Sequence, residues 1–165
     1  MMEVVHHFLV KEDEANPNQA SITQVLKKAT PLFDGGYTFG GLTGNGYSFV
    51  MRDAHGIRPA YYFVHDEFIV AASERAAIRT TFNVGENEVK ELMPGCALIV
   101  NDDGKYAIEQ ILPPKERRAC SFERIYFSRG SDEKIYRERI ALGHHLSKTV
   151  LESIDYNLKQ TIFSY

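Results

Sequence analysis

An α+β fold, with antiparallel sheets flanked by helices, is what this sequence predicts, and three observations carry that reading. Apolar residues recur at helical spacing towards both ends, at Val4, Val5, Phe8 and Leu9 and again at Tyr136, Ile140, Leu146, Val150 and Ile154. Between them lie three pairs of short runs rich in β-branched and aromatic residues, joined by turn-forming residues. Hydrophobic residues make up 44% and charged residues 25% of the 165 residues, the balance of a chain that buries a core.

Taken in order, residues 3–11 are expected to be the end of a helix, and 12–19, with Asn16-Pro17-Asn18, a loop. Ile22, Val25 and Leu26 predict a second helix over 20–29, with Lys27 and Lys28 in the last turn, where cations suit the helix dipole. From Pro31 the period changes. Tyr37-Thr38-Phe39 and residues 47–51 flank a glycine-rich stretch in which Asn45-Gly46 predicts a type I′ hairpin. After a loop over 52–59, a second hairpin pairs 60–64 with 68–72 through His65-Asp66. Ser73, as N-cap, is expected to open a short helix ending at Arg79. A third pair, 97–100 and 106–111, is joined by Asn101-Asp102-Asp103-Gly104, so the strands read as one antiparallel meander. Pro113-Pro114 and the charged Lys115-Glu116-Arg117-Arg118 mark a boundary that divides the chain into 1–114 and 115–165. Beyond it, 124–128 is strand-like, 131–154 helical and 161–165 apolar and β-rich. A domain seldom ends on such a run unless it pairs with something, so both ends read as cuts.

The formal net charge of -3 argues against a general nucleic-acid binder. No apolar run approaches the roughly 20 residues that cross a bilayer. Met1-Met2-Glu3-Val4-Val5-His6-His7 has no basic segment followed by an apolar one, as a signal peptide would. The two cysteines, Cys96 and Cys120, lack CxxC spacing, so neither a disulfide framework nor a zinc site is indicated. A cytoplasmic protein with no membrane or nucleic-acid partner is expected.

Three blocks carry a family likeness. Arg52-Asp53-Ala54-His55-Gly56-Ile57-Arg58-Pro59 resembles the RDPNGIRPL loop of the glutaminase domain of amidophosphoribosyltransferases. Ala72-Ser73-Glu74 resembles the ASE segment found downstream in that domain and in other class II glutamine amidotransferases. Residues 120–129, from Cys120 to Arg129, resemble the CxFEYIYFxRPDS stretch that joins the family's glutaminase and phosphoribosyltransferase domains. The third block is specific to the family; the first two also admit asparagine-synthetase relatives. The resemblance implies a partial N-terminal-nucleophile (Ntn) hydrolase-type glutaminase fold, two antiparallel sheets between helical layers, over 1–114. Over 115–165 it implies a linker and the first strand and helix of a phosphoribosyltransferase domain. It implies an enzyme that takes ammonia from glutamine with an N-terminal Cys nucleophile and displaces pyrophosphate from phosphoribosyl pyrophosphate. The product is 5-phosphoribosylamine, in the first step of purine synthesis. Mg2+ with phosphoribosyl pyrophosphate, a 4Fe–4S cluster in some members and a homo-oligomer belong to the same implication. The family's nucleophile, oxyanion pair and glutamine-binding Arg fall before Met1 in this alignment, its phosphoribosyl-pyrophosphate loop beyond Tyr165, and Met1 stands where the glutamine-binding Asp is expected. No catalytic residue carries over, and the chain by itself is expected to be inactive. A stand-alone non-catalytic module that binds a partner is the other reading.

The remaining candidates are few. Arg52, Asp53 and Arg58, two guanidinium groups around a carboxylate, can hold an anion or brace a neighbouring domain. The plainer reading, which the sequence favours, has Asp53 tying the loop to backbone and Arg58 packed at an interface. Arg129, Ser131, Asp132 and Tyr136 stand where signals between the family's two sites must cross, or simply cap the long helix. Cys120 matches the linker Cys that ligates a cluster in some relatives, but a plain buried thiol is favoured. Cys96 reads as core. His6-His7 and His144-His145 point about 100° apart on a helix, so neither pair converges on one metal ion.

Overall fold

A computed structural model describes residues 1–17 and 20–164. Helix α1 (Met2–Ala15) runs on past Lys11 into the stretch expected to be loop. It does so because Glu12 is buried: its carboxylate accepts from Lys28 Nζ at 2.8 Å and from Asn16 Nδ2 at 3.3 Å, which ties α1 to the next helix. Asn18 and Gln19 of the expected loop lie outside the described residues. Helix α2 (Ile22–Ala29) buries Ile22, Val25, Leu26 and Ala29 on one stripe, and Ser21 caps it by accepting the Gln24 N–H at 3.4 Å.

The strands form antiparallel sheets, as expected, but their order is not that of a meander. Strands β1 (Thr38–Leu42), β2 (Ser48–Arg52), β6 (Cys96–Val100) and β7 (Tyr106–Gln110) make a four-stranded sheet in the order β1-β2-β6-β7. Strands β3 (Tyr61–Val64), β4 (Ile69–Ala72) and β5 (Lys90–Glu91) make a smaller one in the order β4-β3-β5. The cause is the alternation on β2 and β6. Phe49, Met51, Ala97 and Ile99 share a core with Ile22 and Leu26 of α2. Val50, Cys96 and Leu98 face the other way, onto Tyr62, Ile69, Ala71 and Leu92. Strands apolar on both faces need a layer on each side. The small sheet supplies one, and its own outer face buries Phe63 and Val70 against Ile78 of helix α3 (Arg75–Phe82). The result is the helix–sheet–sheet–helix order that the resemblance implied.

Several local expectations are corrected. Positive φ in the first hairpin turn falls on Gly46 (89°) and not on Asn45, with the Gly46 N–H returning to Thr43 O at 3.1 Å. The turn is therefore the longer form with a glycine bulge rather than type I′. Ser73 is exposed and caps nothing; α3 starts behind Glu74 without a side-chain cap. Strand β5 has only two residues and no alternation to betray it. The expected strand at 124–128 is a single π turn, Glu123–Phe127, closed by Ser128 N–H to Glu123 O at 2.7 Å. Neither sheet reaches Ile125-Tyr126-Phe127, so their carbonyls have no ladder to join. Arg139 Nη2 instead donates to the carbonyls of Ser128 at 2.6 Å and Ile125 at 3.0 Å. Helix α4 (Glu133–Ser153) forms as expected, with Asp132 as N-cap. The described part of the 161–165 run, up to Ser164, is not a strand, and Tyr165 lies outside the described residues.

Candidate functional site

The three motif blocks meet around one cleft of about 460 Å³, and the first of them is its floor. Arg52 ends β2 and is 1% exposed. Its Nε donates to Arg58 O at 2.8 Å and its Nη2 to Gly56 O at 3.1 Å, which folds the 52–58 loop around the guanidinium. Its Nη1 crosses to the small sheet, donating to Leu92 O at 2.6 Å and Glu91 Oε1 at 2.8 Å. One side chain thus joins both sheets. Asp53, equally buried, accepts the backbone N–H groups of His55 (2.9 Å), Ile57 (3.1 Å) and Arg58 (3.3 Å). Gly56 has φ +59°, and a Cβ there would lie 2.9 Å from Pro94 Cγ and 3.2 Å from Arg52 Nη2. The glycine is what lets backbone approach the guanidinium.

The outer side of this loop carries residues 115–120. Lys115 N–H donates to Ala54 O at 2.9 Å, Arg118 N–H to His55 O at 3.0 Å and Cys120 N–H to Ile57 O at 3.2 Å. His55 Nδ1 lies 2.8 Å from Glu116 O. The stretch after Pro114 is therefore laced to the first block rather than left loose. Arg117 then reaches back to Glu91 Oε1 at 2.6 Å, so that carboxylate serves two arginines.

The opposite wall is built by the second and third blocks. Glu74 lies 3.3 Å from Arg129 Nε. Arg58 lies 3.2 Å from the buried Glu123 and sits over the Phe127 ring, 5.5 Å from its centroid. Arg75 places its Nε and Nη2 on the two oxygens of Asp132 at 2.9 and 2.7 Å. Burial pushes the Asp132 carboxyl up, but the fork from Arg75 and the N–H groups of Ile135 and Lys134 outweigh it and hold the group below the usual carboxylate range. The Asp132 hydrogen bonds in turn raise Arg75. Tyr61, under Arg75, is raised by burial first and the Glu91 carboxylate next.

Asp53 thus accepts the N–H groups of its own loop, and Arg58 lies against Glu123 and the Phe127 ring. Arg129 joins them in the cleft. Tyr136 does not: it is 57% exposed and stands outside it. Cys120 is half-buried at the cleft wall rather than a fully buried thiol, whereas Cys96 is core, its Sγ donating to Gln110 Oε1 at 3.4 Å. His6, His7, His144 and His145 are all exposed. Sequence reasoning missed Arg75, Glu86, Glu91 and Arg139. None of them belongs to a recognisable motif, and only Arg75, directly behind Ala72-Ser73-Glu74, had a neighbouring signal.

A 4Fe–4S cluster needs four ligands, generally thiolates. This chain has two cysteines, one of them committed to the core, so its residues do not make such a site. Among the described residues no three His, Cys, Asp or Glu side chains converge as metal ligands. Chemically the cleft is closed on itself: its cations and carboxylates are spent on one another.

No family model matches the chain. The amidophosphoribosyltransferase of Bacillus subtilis is 34% identical over 127 residues, which are 77% of this chain and 25% of that enzyme. The enzyme of that name from Synechocystis is 33% identical over 105 residues, 59% of this chain and 20% of the relative. The one from Saccharomyces cerevisiae is 25% identical over 158 residues, 88% of this chain and 30% of the relative. Among solved structures, the glutamine phosphoribosylpyrophosphate amidotransferase of Bacillus subtilis, complexed with ADP and GMP, superposes with a TM-score of 0.55 at 30% identity, covering 77% of this chain and 26% of that one. A structure described as the allosteric regulatory enzyme of purine biosynthesis does so at 0.59, again with 30% identity, covering 77% of this chain and 25% of that one. The chain spans between a fifth and a third of the length of these relatives. Three motif blocks gathered on one cleft, a four-layer fold and these matches together place the chain, over the part that it spans, in the amidophosphoribosyltransferase family.

Proposed function

We propose that this chain serves in an enzyme that releases ammonia from glutamine and uses it to displace pyrophosphate from phosphoribosyl pyrophosphate, giving 5-phosphoribosylamine in the first step of purine synthesis. The observation that supports this most is the cleft: the block specific to the family, 120–129, packs onto the two glutaminase-type blocks through Arg58–Glu123 and Arg129–Glu74. On this reading 1–114 is the back half of the glutaminase unit. Residues 115–165 are the linker and the start of the phosphoribosyltransferase unit. Arg52, Asp53, Arg58 and Arg129 hold the joint between the units and touch no substrate. Tyr136, exposed on α4, meets the transferase side. The protein is cytoplasmic and homo-oligomeric. Phosphoribosyl pyrophosphate comes with Mg2+, which is held by groups other than the cleft carboxylates, since Glu74, Glu91, Glu123 and Asp132 each already face an arginine.

The test is turnover by the protein expressed from the whole reading frame that contains this chain. Glutamine-dependent formation of phosphoribosylamine is expected. Amination of aspartate with consumption of ATP would instead identify an asparagine-synthetase relative and overturn the reading. The 165-residue chain alone is expected to release no ammonia from glutamine.

A further inference from the structure

Among the described residues, helix α4 is held at one end only: every residue from 141 to 149 is exposed, so none of them packs against the middle of the helix to fix its direction. Its first turn is different. Asp132 and Ile135 are buried there, and one carboxylate does two jobs. Asp132 Oδ1 accepts the N–H groups of Lys134 at 3.0 Å and Ile135 at 3.3 Å, which caps the helix. The same carboxylate receives the fork of Arg75. Arg75 is the first residue of α3, directly behind Ala72-Ser73-Glu74. It lies over the Tyr61 ring, 5.9 Å from its centroid, and 3.5 Å from Glu86, which Lys134 approaches at 3.8 Å. The other ties across the cleft are weaker: Arg129–Glu74 and Arg58–Glu123 are single contacts whose arginines are 68% and 40% exposed. Arg139 ties α4 to the π turn and not to either sheet.

We propose that Arg75 and Asp132 are positioning residues, a pin that sets the direction in which α4 leaves the small sheet. The inference rests on the two-unit reading above and adds the residues through which the glutaminase side would orient the transferase side. The geometry amplifies. At 1.5 Å per residue α4 is about 30 Å long, so a tilt of about 10° at the pin moves its far end by about 5 Å. A small displacement of the 72–75 segment therefore becomes a large one at the end of α4. Asp132 cannot leave Arg75 without redirecting its carboxylate, so capping and docking are set together.

The two roles can be separated. Asp132→Ser keeps a good N-cap but loses the fork, and Arg75→Gln loses the fork and leaves the cap untouched. Nitroxide labels at Asp66→Cys, in the exposed β3–β4 turn, and Lys148→Cys, on α4, report the angle by pulsed electron resonance in the full chain carrying Cys120→Ser. One narrow distance is expected for the starting chain. Both variants should broaden the distribution by about 5 Å, the lever displacement above, with unchanged helix content by circular dichroism. Arg75→Lys should fall between. A narrow distance in Arg75→Gln, even beside a broad one in Asp132→Ser, overturns the proposal, and so does a broad distance in the starting chain. The distances need no turnover, so they stand whichever way the phosphoribosylamine assay comes out.

Discussion

Replacing Arg52 by Met should cost the fold more than any other single change in the cleft, and the cost can be worked from its partners. The side chain donates to three backbone carbonyls and to Glu91, and it is 1% exposed. Hydrogen bonds involving a charged group are worth about 1.5–3 kcal/mol each, but four of them cannot be added, because the guanidinium is fully hydrated in the unfolded chain. Glu91 is not stranded by the change, since Arg117 still reaches it at 2.6 Å. What remains is the desolvation of the carbonyls of Gly56 and Leu92, in buried residues, and part of that of Arg58. Breaking a buried charged network of this kind costs about 3–5 kcal/mol. A loss of about 4 kcal/mol lowers the folding equilibrium by about three orders of magnitude. Arg52→Lys keeps the charge, but a compact ammonium cannot donate on both sides of the guanidinium plane, so about half the loss is expected. Glu91→Gln keeps an acceptor for Arg52 but removes its counter-charge, and should cost less than Arg52→Met. Urea unfolding followed by circular dichroism measures all three at constant m-value. Should Arg52→Met unfold within about 1 kcal/mol of the starting chain at unchanged m, Arg52 does not hold the sheets together and the account of the cleft floor fails.

Two further changes probe the same neighbourhood. Gly56→Ala places a Cβ at φ +59° and 2.9 Å from Pro94 Cγ, and should cost about 2 kcal/mol from left-handed strain and displacement together; a change below about 0.5 kcal/mol in the same unfolding assay would show that the loop gives way freely. Tyr37, whose hydroxyl burial and then the nearby Asp53 carboxylate push up to about 12, should be the last tyrosine to ionise. Its neutral form is favoured in the folded chain. It therefore adds stability that is fully present below the ordinary tyrosine value of about 10 and is lost as pH rises towards 12. Tyr37→Phe should remove the final step of an alkaline ultraviolet titration, and an unchanged final step would refute the assignment.

What the sequence disclosed and what it hid divide along a physical line. Helices α2 and α4 were legible because a single apolar stripe or a capping Asp is local information, and the hairpins because their turn residues sit between alternating runs. The sheet order was not. Nothing in Tyr61 to Ala72 says locally that this hairpin leaves the large sheet; that follows only from the need to cover the second apolar face of Val50 and Leu98. The same holds for the π turn. Ile125-Tyr126-Phe127 has strand chemistry, yet it turns, with the Ile125 carbonyl taken up by Arg139 from a different element. In the cleft, Arg52, Asp53 and Arg58 were found through a contiguous motif, whereas Arg75, Glu86 and Glu91 are brought in from three separate segments and carry no pattern of their own.

The chemistry of the joint bears on what it can do. Were residues 115–120 and α4 attached by apolar packing, their position would be tolerant of small slips, because dispersion and hydrophobic burial have little direction. Here the attachment is directional. It consists of the Lys115, Arg118 and Cys120 N–H groups on the loop carbonyls, a bidentate Arg75–Asp132 pair and single pairs at Glu74 and Glu123. The exposed pairs contribute no more than about 1 kcal/mol each and would not hold the segment alone. The buried carboxylate of Asp132 would lose both its cap and its fork partner if it slipped by a residue. Such a joint fixes one orientation while its total strength stays modest, so it can be biased by whatever moves the 72–75 segment. On the proposed two-unit reading, the joint has to combine those two properties, and apolar packing supplies only strength.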